Sequence, residues 1–298
     1  MTSVPRAAPN SLRAEMLVFL CVVIWAANYP LAKYGIEGMD IFIFNGVRYV
    51  VAALVLVQVS AVRSRWTPVA RSDWKKLLWA GTVANIIYQV AFIIGLSMTT
   101  AGNSAILLAT SPLWTVFLSS RAHNERVAHE VWTGMAISLG GIVMIIFGGG
   151  GTFDVSRSAM IGDLICLGAA FLWGSSTVLQ KPLLVRYSPR QVSLVMVSVG
   201  AVGLSVIAAP AAVSVSWKDV HWTYYAAAVA SGALSNGIAN VFWSYGVQRL
   251  GPTRTGNFGN LIPAIALGVS YVTLGETLTV LQIAGAAITL GGIWYARR

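Results

Sequence analysis

Charged residues are scarce in this chain of 298 residues. Asp, Glu, Lys and Arg make up 10% of it and apolar residues 56%, whereas soluble domains average about 25% charged residues. Most of the chain therefore cannot face water, which excludes a soluble globular protein. Apolar runs long enough to cross a hydrocarbon core of about 30 Å as helices lie at residues 14–34, 40–62, 75–98, 102–120, 129–148, 159–180, 190–214, 222–247, 255–274 and 278–296.

Residues that carry metal or nucleophilic chemistry are also few, with 2 Cys and 3 His. Cys21 and Cys166 lie in apolar runs, where a lone thiol acts as a small core residue, and the histidines lie in loops without metal-ligand spacing. The glycine-rich stretch at residues 147–154 lacks the Lys-Ser/Thr that follows a phosphate-binding loop, which indicates a linker. We therefore predict no disulfide, metal or cofactor, and no enzyme.

Two segments of the sequence each occur in two similar copies. IWAANYPLAK at residues 24–33 aligns with LWGSSTVLQK at residues 172–181. ERVAHEVWTGMAISLGGI at residues 125–142 aligns with ETLTVLQIAGAAITLGGI at residues 276–293. A signal peptide that is removed from the mature protein would not be expected to resemble a later helix. The first apolar run is therefore predicted to be retained.

The repeat divides the chain into residues 1–150 and 151–298, each with five predicted helices. Because five is odd, the second half is expected to lie inverted in the membrane. With the N-terminus inside, nearly all of the 20 Lys and Arg residues fall on the inner side, and the outer side has Lys33, Arg157 and Lys218. Cytoplasmic loops carry such an excess. Both termini are therefore predicted to be cytoplasmic, and the charge of +10 indicates contact with anionic lipids rather than nucleic acid.

The duplicated pattern resembles the drug/metabolite transporter superfamily, in particular bacterial proteins built of two EamA-type halves. The resemblance covers nearly the whole chain and rests on SPLWTVFL at residues 111–118, IPAIALGV at residues 262–269, Glu125 and Glu276, and the two LGGI helix ends. Within the superfamily, the sequence looks most like the exporters of aromatic amino acids. The resemblance implies an all-α polytopic membrane protein with ten transmembrane helices in two inverted five-helix repeats.

The function implied by the resemblance is that of a secondary transporter. It would export amino acids, including aromatic ones, and related small amphiphilic metabolites across the bacterial inner membrane by alternating access, as a monomer or weak homodimer. The second candidate is a sugar-phosphate or nucleotide-sugar exchanger of the same superfamily. A dianionic ligand would favour several positively charged side chains near the middle of the membrane, and only Arg48 clearly lies at that depth. An intramembrane enzyme is the alternative of a different class, but the sequence shows no buried catalytic set.

Polar side chains inside apolar runs are informative because their burial costs free energy. Asn85 and Gln89 are the repeat equivalents of Asn236 and Asn240, and each pair is spaced i, i+4 on one helix face. These residues either line a pathway or bond neighbouring helices. Arg48 either pairs with a substrate carboxylate or bonds helix carbonyls.

Two equivalent prolines, Pro112 and Pro263, are predicted to kink their helices at mid-depth and to free a backbone carbonyl. Deep aromatic residues would suit aromatic or cationic solutes through stacking and cation–π contact, with core packing as the alternative. The candidate substrate-binding residues are Trp25, Tyr29, Arg48, Asn85, Tyr88, Gln89, Trp114, Trp173, Asn236, Asn240, Trp243, Tyr245, Asn257 and Asn260.

Overall fold

The computed structural model describes residues 9–63, 66–98, 107–122, 127–148, 157–265, 269 and 279–296. Its first half contains α1 (Pro9–Glu37), α2 (Ile41–Arg63), α3 (Arg71–Thr82, Val83–Ile87 and Tyr88–Met98), α4 (Ser111–Ala122) and α5 (His129–Gly148). Its second half contains α6 (Arg157–Leu179), α7 (Pro189–Ser214), α8 (Trp222–Ser231, Gly232–Ile238 and Ala239–Leu250), α9 (Pro252–Asn257 and Phe258–Asn260) and α10 (Val280–Tyr295). The predicted boundary between residues 150 and 151 lies outside the described residues.

The prediction of an all-α membrane protein is confirmed. In lipid, backbone N–H and C=O groups must bond within the protein, which helices achieve locally, and no strand occurs in the described part of the chain. Within the residues that the structure describes, five helical segments are long and apolar enough to span a membrane, and shorter apolar helices occur at His129–Ile145 and Val280–Tyr295. The long segments are Ser11–Asn28, Ile41–Ser60, Arg71–Gly95, Met160–Arg186 and Pro189–Ser214.

Helix contacts follow the repeat. Helix α2 packs against α7, and α5 packs against α10, so each helix contacts its own equivalent in the other half. Helix α1 packs against α8, and the equivalent pair, α6 and α3, is also in contact. Contacts between equivalent helices are what a pseudo-two-fold axis between the two halves produces.

Small residues form the contact between α5 and α10. The Ser138 hydroxyl donates to the Thr289 carbonyl at 3.2 Å, and the Thr289 hydroxyl donates to the Ser138 carbonyl at 3.4 Å. These reciprocal bonds join repeat equivalents. The same contact surface, which we call the glycine seam, contains Gly134, Gly141, Gly285 and Gly292. Small side chains let the two backbones approach closely enough for these bonds to form.

Both α3 and α8 contain a π-helical segment at equivalent repeat positions. The segments are Val83–Ile87 and Gly232–Ile238. Close packing accompanies each one, because a Cβ added at Gly81 would lie 3.1 Å from the Met196 Cα atom and one added at Gly232 would lie 2.9 Å from the Arg48 Cα atom. Such π-bulges are frequent at functional sites. The sequence did not predict them.

The backbone of α4 and α9 is irregular just before the two equivalent prolines. A turn at residues 109–110 precedes α4, and the Leu113 amide bonds the Thr110 carbonyl at 2.9 Å, which leaves Pro112 in the first turn of α4. In α9 the 3-10 segment Phe258–Asn260 ends before Pro263. The irregularity is therefore next to the positions predicted as kinks, where proline cannot donate a backbone hydrogen bond.

Candidate binding cavity

A cavity lies between the two halves of the protein. It contains about 1130 Å³ of empty space, part of which is open to solvent. Side chains from both halves line it. The sequence candidates among them are Trp25, Arg48, Tyr88, Gln89, Pro112, Trp173, Asn236, Asn240, Trp243 and Pro263.

The other candidates lie elsewhere or are not described. Those that do not line the cavity are Asn85, Trp114, Tyr245, Asn257 and Asn260. Trp114 packs edge-on against Phe171 with ring centroids 5.5 Å apart, and the Arg249 guanidinium lies 5.6 Å from the centre of the Tyr245 ring. The side chain of Tyr29 lies outside the described part of the structure. The deep aromatic residues therefore form more than one cluster.

Four aromatic rings form one wall, which we call the aromatic box and define as Trp25, Tyr88, Trp173 and Trp243. Ring centroids are 5.1 Å apart for Trp25 and Trp173, 5.0 Å for Trp25 and Trp243, and 5.2 Å for Tyr88 and Trp173. The Trp25 indole donates to the Ser235 carbonyl at 3.2 Å, and the Trp243 indole donates to the Thr177 hydroxyl at 3.2 Å. These bonds hold two of the rings in fixed orientations.

Arg48 forms a polar part of the cavity and is 5% exposed. Its Nη1 group donates to Asn45 Oδ1 at 2.8 Å, and its Nη2 group donates to Asn236 Oδ1 at 3.4 Å. The guanidinium carbon lies 5.4 Å from the centre of the Phe44 ring. Arg48 Nε and Asn236 Nδ2 are buried without a hydrogen-bond partner among the described residues. Unpaired buried donors are costly, so this corner is suited to accept an oxygen ligand.

The equivalent asparagines Asn85 and Asn236 differ in their partners. Asn85 Oδ1 accepts from the Tyr49 hydroxyl at 3.0 Å, and Asn85 Nδ2 donates to the Met196 carbonyl at 2.9 Å. Asn85 therefore binds neighbouring helices through both ends of its amide. Asn236 has only its oxygen bonded to Arg48, and its nitrogen is the unpartnered atom described above.

Some cavity-lining residues were not among the sequence candidates. Trp25, Asn28 and Ala32 occupy one face of α1 at i, i+3 and i+7, so the position of Trp25 was a signal for the other two. The Asn28 side chain accepts a short hydrogen bond from the Ser231 hydroxyl. The further lining residues include Tyr49, Phe92, Ser111, Thr115 and Ser235.

A second, smaller cavity shares part of the same wall. Trp173, Asn240 and Trp243 line both cavities, and the smaller one encloses about 290 Å³. Its other lining residues are mostly polar, and the Ser244 hydroxyl donates to Gln180 Oε1 at 2.8 Å. The two tryptophans thus separate the large cavity from a polar one.

Residues at and just before the start of α3 contact residues at and just before the start of α7, and these contacts join the two halves at one end of the bundle. Asp73, 2% exposed, accepts from Arg186 Nη1 and from the Tyr187 hydroxyl, each at 2.9 Å. Gln191 accepts from the Thr67 amide at 3.3 Å and donates to the Thr67 carbonyl at 2.5 Å. We call these five residues the α3–α7 latch. The bond between Tyr187 and the Asp73 carboxylate is buried, and hydrogen bonds to charged groups contribute about 1.5–3 kcal/mol. The latch therefore stabilises the contact between the two halves at this end.

Within the described residues, no group of three His, Cys, Asp or Glu side chains could hold a metal ion. The described cavity lining consists of aromatic, aliphatic, small, amide and hydroxyl residues together with two prolines and Arg48. Such a surface can bind and orient a small molecule by stacking, hydrogen bonding and one charge.

Known proteins share both the sequence pattern and the fold. A family model described as the EamA-like transporter family matches residues 12–147 and 160–298. A "Probable terminal-alkyne amino-acid exporter" of Streptantibioticus cattleyicolor is 27% identical over 286 residues, covering 96% of this chain and 94% of that protein. A "Probable amino-acid metabolite efflux pump" of Salmonella typhimurium is 26% identical over 301 residues, covering 95% and 94%.

The fold also matches a solved structure. A crystal structure of a protein that is 17% identical superposes with a TM-score of 0.82 and covers 96% of this chain and 98% of that chain. At this identity the match supports the fold alone.

Proposed function

Because the chain belongs to the EamA-like transporter family, we propose that it exports amino acids, including aromatic ones, and related small amphiphilic metabolites. The observation that carries this proposal is the cavity between the halves, in which an aromatic box lies beside a buried arginine. An aromatic wall binds an apolar side chain, and a guanidinium binds a carboxylate. The names of the two relatives, an amino-acid exporter and an amino-acid metabolite efflux pump, support the same substrate class.

The exchange of sugar phosphates or nucleotide sugars is less well supported. A dianionic phosphate would require more than one cation close to the ligand. Among the described residues that line the cavity, Arg48 is the only one with a positive charge. We therefore expect the cavity to bind ligands with a single carboxylate.

We also propose that transport proceeds by alternating access in the inner membrane with both termini in the cytoplasm. In that orientation the α3–α7 latch lies on the cytoplasmic side. The cavity reaches Ala32 near the end of α1 and Leu108 before α4, which would lie on the outer side. These positions support an outward-open state in which the latch and the two shared tryptophans close the inner side. Opening the inner side would require the latch to break.

Counterflow in proteoliposomes tests the transported class. Vesicles preloaded with unlabelled phenylalanine should accumulate labelled phenylalanine transiently, because a carrier that exposes one site to each side in turn couples the two fluxes. Vesicles preloaded with glucose 6-phosphate instead of phenylalanine are the control, and they should not accumulate labelled phenylalanine. Accumulation with the sugar phosphate and none with any amino acid would contradict the proposed function.

Accessibility of single cysteines tests both orientation and gating. The two native cysteines are buried, so Ala32→Cys and Ala70→Cys can be introduced separately. An impermeant maleimide added outside cells should label position 32 but not position 70. Asp73→Asn should slow labelling at position 32 by about threefold or more, since loss of a charge-assisted bond weakens the latch.

Lys76→Gln is the control for this variant. Lys76 Nζ is 3.6 Å from Asp73, but the lysine side chain is 64% exposed, and exposed ion pairs contribute little. Its labelling should match that of the parent. Strong external labelling at position 70 would contradict the proposed orientation.

A further inference from the structure

Among the described residues, no acidic side chain pairs with Arg48: Asp73 pairs with Lys76 and Arg186, and Glu15 pairs with Arg254. The described residues that line the cavity include no Asp or Glu. Burying an uncompensated charge costs several kcal/mol. A bound anion would remove much of that cost, because it would supply the missing opposite charge.

We propose that Arg48 and Asn236 form a clamp for the carboxylate of the substrate, and that the cavity selects the carboxylate while it leaves the amine without a charged partner. This inference rests on the proposed function and specifies its substrate class. The class is that of monocarboxylates with an apolar or aromatic side chain. It includes N-acylated amino acids as well as free ones.

The donors of the clamp are already fixed in place. A guanidinium has five N–H donors in a plane, and a carboxylate can accept two of them in parallel. Asn45 and Asn236 each accept one of these hydrogens, and the Phe44 ring lies 5.4 Å from the guanidinium carbon. The Nε hydrogen and the Asn236 amide nitrogen have no partner in the described structure. These two groups, together with the second hydrogen of each Nη group, are the donors that the clamp offers to a carboxylate.

The clamp is built from both halves of the protein. Arg48 and Asn45 belong to α2, whereas Asn236 belongs to the π segment of α8. The close approach of Gly232 to the Arg48 backbone brings the two elements together. A carboxylate bound here would contact both halves. Its release would therefore accompany any rearrangement of α2 against α8.

No comparable site exists for an ammonium group on the described cavity wall. The aromatic box offers ring faces, and Gln89 and Asn240 offer amides. Ring faces attract cations by only about 0.5–2 kcal/mol, and they bind neutral groups equally well by stacking and burial. Replacing the ammonium by an amide should therefore change affinity little. Replacing the carboxylate by an amide should remove a charged hydrogen-bonded contact.

Competition in the counterflow assay tests this difference with the unaltered protein. We expect N-acetylphenylalanine to inhibit uptake of labelled phenylalanine within about threefold of phenylalanine itself, and phenylalaninamide to inhibit at least about tenfold more weakly. Equal inhibition by phenylalaninamide would overturn the clamp. Failure of N-acetylphenylalanine to inhibit would overturn the claim that the amine has no charged partner.

Variants test which residues cause the preference for a carboxylate. The measured quantity is the ratio of inhibition by phenylalanine to inhibition by phenylalaninamide. Arg48→Gln should bring this ratio close to one. If Arg48→Gln does not fold, Asn236→Ser removes one clamp donor, keeps the arginine, and should lower the ratio. Asn85→Ser alters the repeat equivalent, which lines the smaller cavity but not the large one, and should preserve the ratio. A ratio unchanged in Asn236→Ser would overturn the role of Asn236.

Binding to the purified protein separates failure of the clamp from failure of the proposed function. The cavity contains Trp25, Trp173 and Trp243, so ligand binding should change tryptophan fluorescence. If no amino acid shows counterflow, the proposed function has failed, but N-acetylphenylalanine should still bind more tightly than phenylalaninamide. Equal binding of the two compounds to the purified protein would overturn the clamp in that case as well.

Discussion

Gly141→Ala will strongly reduce the yield and thermal stability of the folded protein, whereas Gly140→Ala will not. A Cβ at position 141 would lie 2.5 Å from the Gly285 carbonyl oxygen, inside the glycine seam. A Cβ at position 140 would meet no described atom within 4 Å. Overpacking costs about 1–3 kcal/mol, and alanine recovers about 1 kcal/mol through its higher helix propensity. At position 141 the clash outweighs the gain in helix propensity, so alanine lowers the stability of the protein. At position 140 only the gain in propensity applies, so alanine does not lower it.

The pseudo-two-fold axis supplies the same test in the second half. A Cβ at Gly292 would lie 2.5 Å from the Gly134 carbonyl oxygen and 2.5 Å from the Ser138 hydroxyl, while one at Gly291 would meet nothing within 4 Å among the described atoms. Gly292→Ala should therefore destabilise the protein as Gly141→Ala does. Separation of the helices would also stretch the Ser138 and Thr289 bonds, worth about 0.6 kcal/mol each.

The measurement is the melting temperature of the detergent-purified protein, with the monodisperse fraction from size-exclusion chromatography. We expect Gly141→Ala and Gly292→Ala to melt about 2–8 °C lower than the parent, since a net cost of about 1–2 kcal/mol lowers the melting temperature by about 2–4 °C per kcal/mol. Gly140→Ala and Gly291→Ala should melt at or slightly above the parent temperature. Equal losses of melting temperature from Gly140→Ala and Gly141→Ala, or from Gly291→Ala and Gly292→Ala, would contradict the packing of the glycine seam. A loss in one half only would contradict its symmetry.

The sequence predicted the architecture because its signals are long and repeated. Apolar length marks membrane helices, and the duplicated LGGI segments relate α5 to α10. Pro112 and Pro263 were identified from the sequence because proline removes a backbone donor wherever it lies, and irregular backbone precedes both. Equivalent residues such as Trp25 and Trp173 could be paired from the alignment alone.

Other features depend on contacts that a single sequence does not contain. A π segment adds one residue to a helical turn, and within a run that is apolar on all sides this change leaves no mark in the sequence, so Val83–Ile87 was not predicted. Asn85 and Asn236 look equivalent in sequence, but Asn85 bonds the carbonyl of Met196 whereas Asn236 accepts from the side chain of Arg48. The partner on the neighbouring helix distinguishes them, and that partner is known only once the helices are packed.

Trp173→Leu will reduce transport of phenylalanine and tryptophan at least about tenfold relative to transport of alanine. Trp173 belongs to the aromatic box, with its ring centroid 5.1 Å from Trp25 and 5.7 Å from Trp243. Aromatic contacts contribute about 0.5–1.5 kcal/mol beyond the burial of area. An aromatic substrate would lose this contact as well as buried ring surface. Alanine, with one methyl group, has little of either to lose.

Trp114→Leu is the matched control for Trp173→Leu. Trp114 is also half-buried and also packs edge-on against an aromatic ring, that of Phe171, but it does not line the cavity. Both variants lose one indole from the membrane region, so a general loss of stability should affect them alike. The measurement is the ratio of initial counterflow rates for phenylalanine and alanine, which cancels differences in the amount of active protein. The ratio should fall in Trp173→Leu and stay at the parent value in Trp114→Leu, and a similar fall in both variants would show that the aromatic box does not determine selectivity.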